Sequence, residues 1–107
     1  MSLAELLAEA RLLDSGFGMS VPADWLQGRT AYGGFSAALA LTAALRAGGA
    51  HLPPLRSAQV SFVGPLYGEL EVTARVLRLG KNATWVAAEV LREGEVSLLA
   101  SFVFMGP

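Results

Sequence analysis

The chain has 107 residues, 53% of them hydrophobic and 16% charged, with a net charge of −1, a single histidine and no cysteine. That length fits one domain. The composition excludes a disulfide framework, a thiolate metal site, a cysteine nucleophile and a basic surface that could track a nucleic-acid backbone. One histidine also excludes a His-rich metal centre, so no metal is expected.

The N-terminal stretch MSLAELLAEARLL has Glu5 and Glu9 inside its apolar run and no basic segment ahead of it, so it does not read as a signal peptide. Ser2 followed by Glu5 has the spacing of a capping box, and Leu3, Leu6, Leu7 and Ala10 recur at helical intervals. These features predict a short amphipathic helix over 2–12. The run DSGFG (14–18) ends it, and a short strand is expected over 17–21. Residues 22–30 have turn residues and no period, and read as a loop.

TAYGGFSAALALTAALRA (30–47) has one charged residue, Arg46. A helix apolar on nearly all sides is one buried on nearly all sides. The spacing predicts a central helix over 33–47, stopped by Gly48-Gly49, with Phe35, Leu39, Leu41 and Leu45 enclosed by a sheet. Gly33 and Gly34 would let the backbone pack closely at its start. The uncharged run 30–45 is too short to span a membrane. The chain therefore reads as soluble and cytoplasmic, with no membrane or nucleic-acid partner.

Beyond Pro53-Pro54 the period changes to two. Ala58, Val60 and Phe62 share one face, as do Leu70, Val72, Ala74 and Val76, then Val86, Ala88 and Val90, then Val96, Leu98, Ala100, Phe102 and Phe104. Gly64-Pro65, Gly80-Lys81-Asn82 and Glu93-Gly94 separate these runs. Four strands over 55–105 are expected to form an antiparallel meander that curls around the helix. The apolar excess, in a chain this small, points to a subunit interface and an even-numbered assembly with sheets joined at their edges.

The order of these features resembles the hotdog fold, and in particular the first hotdog of the thioesterase-II-like acyl-CoA thioesterases. The matching motifs are Trp25 ahead of the helix, Gly33-Gly34 at its start and F-x-x-P at Phe62–Pro65. R-x-G-K at Arg78–Lys81 and Ala-Ser-Phe at Ala100–Phe102 complete the set. The resemblance implies an α+β hotdog over the whole chain, paired side by side with another hotdog. That partner would be a second copy or a second domain, with acyl-CoA between the two. No cofactor is implied beyond the coenzyme A thioester as substrate.

Thioester hydrolysis needs a carboxylate or an activated water, and donors facing the developing oxyanion. Backbone N–H groups of Gly33 and Gly34 at a helix N-terminus are candidate donors. In single-hotdog relatives an acid stands about two turns into the helix, a position that falls here at Leu41-Thr42. No acid occurs between Asp24 and Glu69. The candidates for water activation are therefore Asp24, in the loop, and Thr42, whose ordinary role is a hydrogen bond back to a helix carbonyl. In the thioesterase-II-like family the active-site Asp, Thr and Gln come from the second hotdog. Gln27 and Tyr32 flank the helix entrance as candidate substrate contacts. Arg75, Arg78 and Lys81 are candidates for the coenzyme A phosphates, against the alternative of an ordinary solvated sheet edge, and Asn82 is a further candidate substrate contact. His51, beside Pro53-Pro54 and far from the helix start, does not suit a dehydratase. Two functions remain open, beside a third reading as a purely structural hotdog with no ligand. One is an acyl-CoA thioesterase domain, inactive or weak by itself. The other is a silent hotdog that binds an acyl or CoA ligand, or completes a partner's sheet.

Overall fold

The computed structural model describes residues 2–13, 16–22, 25–27, 30–31 and 33–106, with the backbone alone for 27, 30 and 31. Its first element follows from a reciprocal cap. The Glu5 N–H donates to the Ser2 hydroxyl at 3.2 Å, and the Ser2 N–H donates to the Glu5 carboxylate at 3.0 Å. This capping box opens helix α1 (Leu3–Glu9). The helix is shorter than the expected 2–12. Ala10 is already extended, and Arg11–Leu13 forms strand β1, paired antiparallel with β2 (Gly16–Ser20). A helix this short has little stability of its own, and sheet pairing takes its last turn. A Cβ at Gly16 would run into the Val72 carbonyl, so β2 opens on a residue without one.

The segment read as a loop also carries structure. The Trp25 N–H donates to the Pro22 carbonyl at 3.0 Å. Strands β3 (Leu26–Gln27) and β4 (Thr30–Ala31) then pair, with Gln27 opposite Thr30. Helix α2 (Gly33–Gly48) follows. It ends where Gly49 takes φ +86 and donates its N–H to the Leu45 carbonyl at 3.2 Å.

Strands β5 (Leu55–Phe62), β6 (Glu69–Leu79), β7 (Ala83–Arg92) and β8 (Glu95–Met105) fall where alternation places them. Their order corrects the expected four-strand meander. The sheet runs β1-β2-β6-β7-β8-β5, antiparallel throughout, so β5 lies beside β8 and not beside β6. The connection after β5 crosses the end of the sheet. The N–H groups of Val63 and Gly64 both donate to the Ser97 carbonyl, at 2.9 and 3.0 Å. Leu66 is buried, and the Tyr67 ring lies 4.3 Å from the Arg92 guanidinium at the end of β7. Gly68, at φ +67, turns the chain into β6.

The sheet curls against α2, but the helix is not enclosed. Phe35, Ser36, Leu39, Ala40, Ala43 and Ala44 are buried, a stripe repeating every fourth residue. The small side chains among them, Ser36, Ala40, Ala43 and Ala44, let α2 pack close over β6 and β7. Leu41 is half-buried, and Leu45 is 46% exposed, against the expectation that both are enclosed. Val76 is also open to solvent, because a bulge between Val76 and Arg78 shifts the β6–β7 register where the helix cover ends. Ala58 and Phe62 share the helix side of the sheet with Val60, yet both are exposed.

Candidate functional site

The start of α2 is built by its neighbours. The Trp25 ring stacks on Phe35 with centroids 4.8 Å apart, tying the preceding segment to the first helical turn. Gly33 faces Phe62, whose ring would lie 3.4 Å from a Cβ at that position. A Cβ at Gly34 would meet nothing within 4 Å among the described residues. Close packing within the chain, expected of both glycines, therefore has no hold on Gly34. The first N–H groups of an α-helix have no partner inside the helix, and its dipole favours negative charge there. Among the described residues, Phe62 is the side chain that stands at Gly33, and none stands at Gly34.

Thr42 lies about 12 Å further along the helix. Its hydroxyl donates to the Ala38 carbonyl at 2.8 Å. Asp24 and Tyr32 lie outside the described residues, and Gln27 is described by its backbone alone. No acid stands on α2, and among the described residues no three His, Asp or Glu side chains gather as a metal site would require.

Arg78, Lys81 and Asn82 come together at the other end of the sheet. They line a depression of about 400 Å³ with Trp85 and Met105. The Gly80 N–H donates to the Ala83 carbonyl at 2.7 Å and closes the turn. The Arg78 guanidinium lies 5.9 Å from the centre of the Trp85 ring, a cation–π contact across β6 and β7. Sequence reading missed Trp85. The signal was available, since Trp85 lies out of phase with Val86, Ala88 and Val90.

The register fixes the distance between the two groups. Phe62, beside Gly33, pairs with Leu98, whereas Leu55 pairs with Phe104, and Phe104 with Thr84 next to the turn. Seven residues of strand separate those rows, roughly 23 Å. The helix start and the basic turn therefore lie at opposite ends of one sheet.

A family model for the acyl-CoA thioesterase N-terminal domain matches residues 21–105. The chain belongs to that family. This family member also has the hotdog fold. It is similar to a hot dog fold protein of unknown function from Alicyclobacillus acidocaldarius. The TM-score is 0.81 at 21% identity, with 98% of this chain covering 40% of that one. It is similar to a candidate thioesterase II from Thermobifida fusca YX, at TM-score 0.81 and 23% identity, with 96% covering 38%. A third likeness is to the BH2602 protein from Bacillus halodurans, whose structure contains CoA. There the TM-score is 0.75 at 20% identity, with 83% covering 68%. The domain thus spans about two fifths of the first two chains. No curated protein matches it.

Proposed function

We propose that this domain is half of an acyl-CoA thioesterase, its site completed across a pair of hotdogs. The observation that carries the reading is the separation of the helix start from the basic turn along β5. Antiparallel pairing of two β5 edges reverses one sheet against the other. The Leu55 end of one hotdog then lies beside the Phe62 end of its neighbour. The Arg78–Lys81–Asn82 turn of one unit approaches the α2 N-terminus of the other, and a coenzyme A thioester can reach both. The partner is a second copy or a second hotdog domain.

In this arrangement the N–H groups of Gly33 and Gly34 donate to the thioester oxygen as charge develops on it. One such donor contributes about 3–4 kcal/mol to the transition state. Arg78 and Lys81 hold phosphate oxygens by charge-assisted hydrogen bonds. The base is not on α2 of this chain, so it comes from a second hotdog or from a residue outside the helix. Asp24 is the candidate within this chain, reaching across the pair.

The commitment of Thr42 to the Ala38 carbonyl favours a second reading. In that reading the domain binds acyl-CoA without hydrolysing it. Two measurements separate the readings. The chain alone is expected to hydrolyse decanoyl-CoA slowly or not at all, and a hotdog partner carrying an acid is expected to raise the rate. CoA affinity, measured by calorimetry, is expected to fall about tenfold in Lys81→Ala and in Arg78→Ala. Binding without turnover in any pairing would establish the silent reading. Fast turnover by the chain alone that survives Asp24→Asn would defeat the half-site reading, since losing a general base removes roughly 10²–10⁴ in rate.

A further inference from the structure

A second cavity lies away from the helix start. It is a groove of about 430 Å³ between the C-terminal half of α2 and the sheet, closed on one side by β1. Its apolar side chains are Leu12 and Leu13 from β1, Ala43 and Ala47 from α2, and Ala74 and Val76 from β6, while polar atoms make up as much of its surface as apolar ones. Ala43 is about 15 Å along the helix from Gly33. The groove is therefore separate from the candidate site above. Its size is that of a small-molecule pocket.

The groove contains one built-in charge. Arg46 lines it from the helix, and its guanidinium lies 5.1 Å from the centre of the buried Phe17 ring. That contact ties the otherwise exposed Arg46 side chain to a core aromatic ring. Arg75 borders the groove from β6, but it stands opposite Ala87, out of phase with Ala74 and Val76, so its side chain belongs to the other face of the sheet. Among the described residues Arg46 forms no ion pair, and no acid lines the groove. One cation beside a row of apolar side chains complements an unbranched tail with a single anionic head.

We propose that this groove binds a straight-chain carboxylate, with the head group on Arg46 and the tail along Ala43, Ala47, Ala74 and Val76. A charge-assisted hydrogen bond from a guanidinium to a carboxylate is strong and directional, and the alanines leave room for the tail. The position of Arg46 in the last turn of α2 also suits the helix dipole. The dipole asks only for a cation, whereas the groove supplies the apolar side chains beside it.

The test is calorimetric titration of the full chain with decanoate, and with decanol as a neutral molecule of the same tail. One decanoate per chain is expected, with decanol at least about tenfold weaker. Arg46→Gln is expected to lower decanoate affinity about tenfold. Val76→Glu places a second negative charge in the trough and is expected to abolish binding, with thermal unfolding confirming that both variants are folded. Asp14→Asn removes the nearest acid in sequence and is expected to leave binding unchanged or tighter. Equal affinity for decanol, unaltered binding in Arg46→Gln or Val76→Glu, or weaker binding in Asp14→Asn would overturn the proposal. So would a change in sedimentation caused by Val76→Glu, since a second copy would then be the occupant. These outcomes read binding and not hydrolysis, so they are independent of the thioesterase reading.

Discussion

Strands β7 and β5 both carry an apolar face at every second residue, Val86-Ala88-Val90 and Ala58-Val60-Phe62, yet β7 buries that face together with Thr84 whereas of β5 only Val60 is even half-buried. The difference lies in their neighbours. β7 has a strand on each side and α2 across one face, while β5 has β8 on one side and meets α2 only where Phe62 reaches Gly33 at the helix start. Alternation thus identifies a face, and the path of the helix decides whether that face is covered. The two sheet edges differ as well. β1 is three residues long, a length that blunts an edge, whereas β5 offers eight residues with Leu55 and Phe62 exposed. A long open edge with apolar side chains is the one suited to a partner.

The comparison breaks most visibly in the core. Leu98→Ala, fully buried beside β7, is expected to cost about 2–5 kcal/mol in chemical denaturation, and Leu39→Ala on α2 a similar amount. If either were tolerated like a surface change, the helix would not lie over the sheet as described. At the edge, Phe62→Asp is expected to leave the unfolding midpoint nearly unchanged and to weaken self-association or pairing about tenfold, roughly 1.4 kcal/mol. Sedimentation velocity reads this directly, and an unaltered distribution would remove β5 from the interface.

Leu45→Ala sharpens the comparison within one helix. Its cost is expected to stay below about 1 kcal/mol, because the side chain already meets solvent. Leu41→Ala, half-buried, belongs between Leu45 and Leu39. A Leu45 cost equal to that of Leu39 at a concentration where the protein self-associates, but not on dilution, would place the open flank of α2 in a subunit contact.

The smallest effect concerns β2 and β6. The Ser20 hydroxyl donates to Glu69, and Arg11 pairs with the same carboxylate at 2.9 Å. The Ser20 hydrogen bond and then Arg11 hold the Glu69 carboxyl below the ordinary glutamate range. A carboxyl lowered in the folded state adds stability that is present at neutral pH and lost as pH falls through its lowered value. Ser20→Ala is expected to move the Glu69 titration upward in NMR, with little change in stability at pH 7, since both side chains are solvated. A titration that does not move would mean the hydroxyl is not its donor.

Much of the fold was legible because its signals are local. Ser2 and Glu5 cap a helix within one turn, Gly49 ends another, and the alternation of 69–79, 83–92 and 95–105 with turns between them places three strands to the residue. The candidate site was less so. Gly33 and Gly34 mark the helix start in the sequence, and Arg78, Lys81 and Asn82 mark a basic turn. Nothing in either run says that they lie a sheet length apart, or that Phe62 and Trp85 stand beside them.

The amino-acid sequence by itself determined the elements and their faces, because capping, glycine turns and side-chain periodicity act over a few residues. Only the tertiary structure decided that β5 crosses to lie beside β8, that Arg11–Leu13 joins the sheet, and which side of the uniformly apolar α2 is buried. Those outcomes depend on contacts between residues tens of positions apart. Alanine and leucine on two sides of a helix look alike in sequence until β6 and β7 cover one side and leave the other bare.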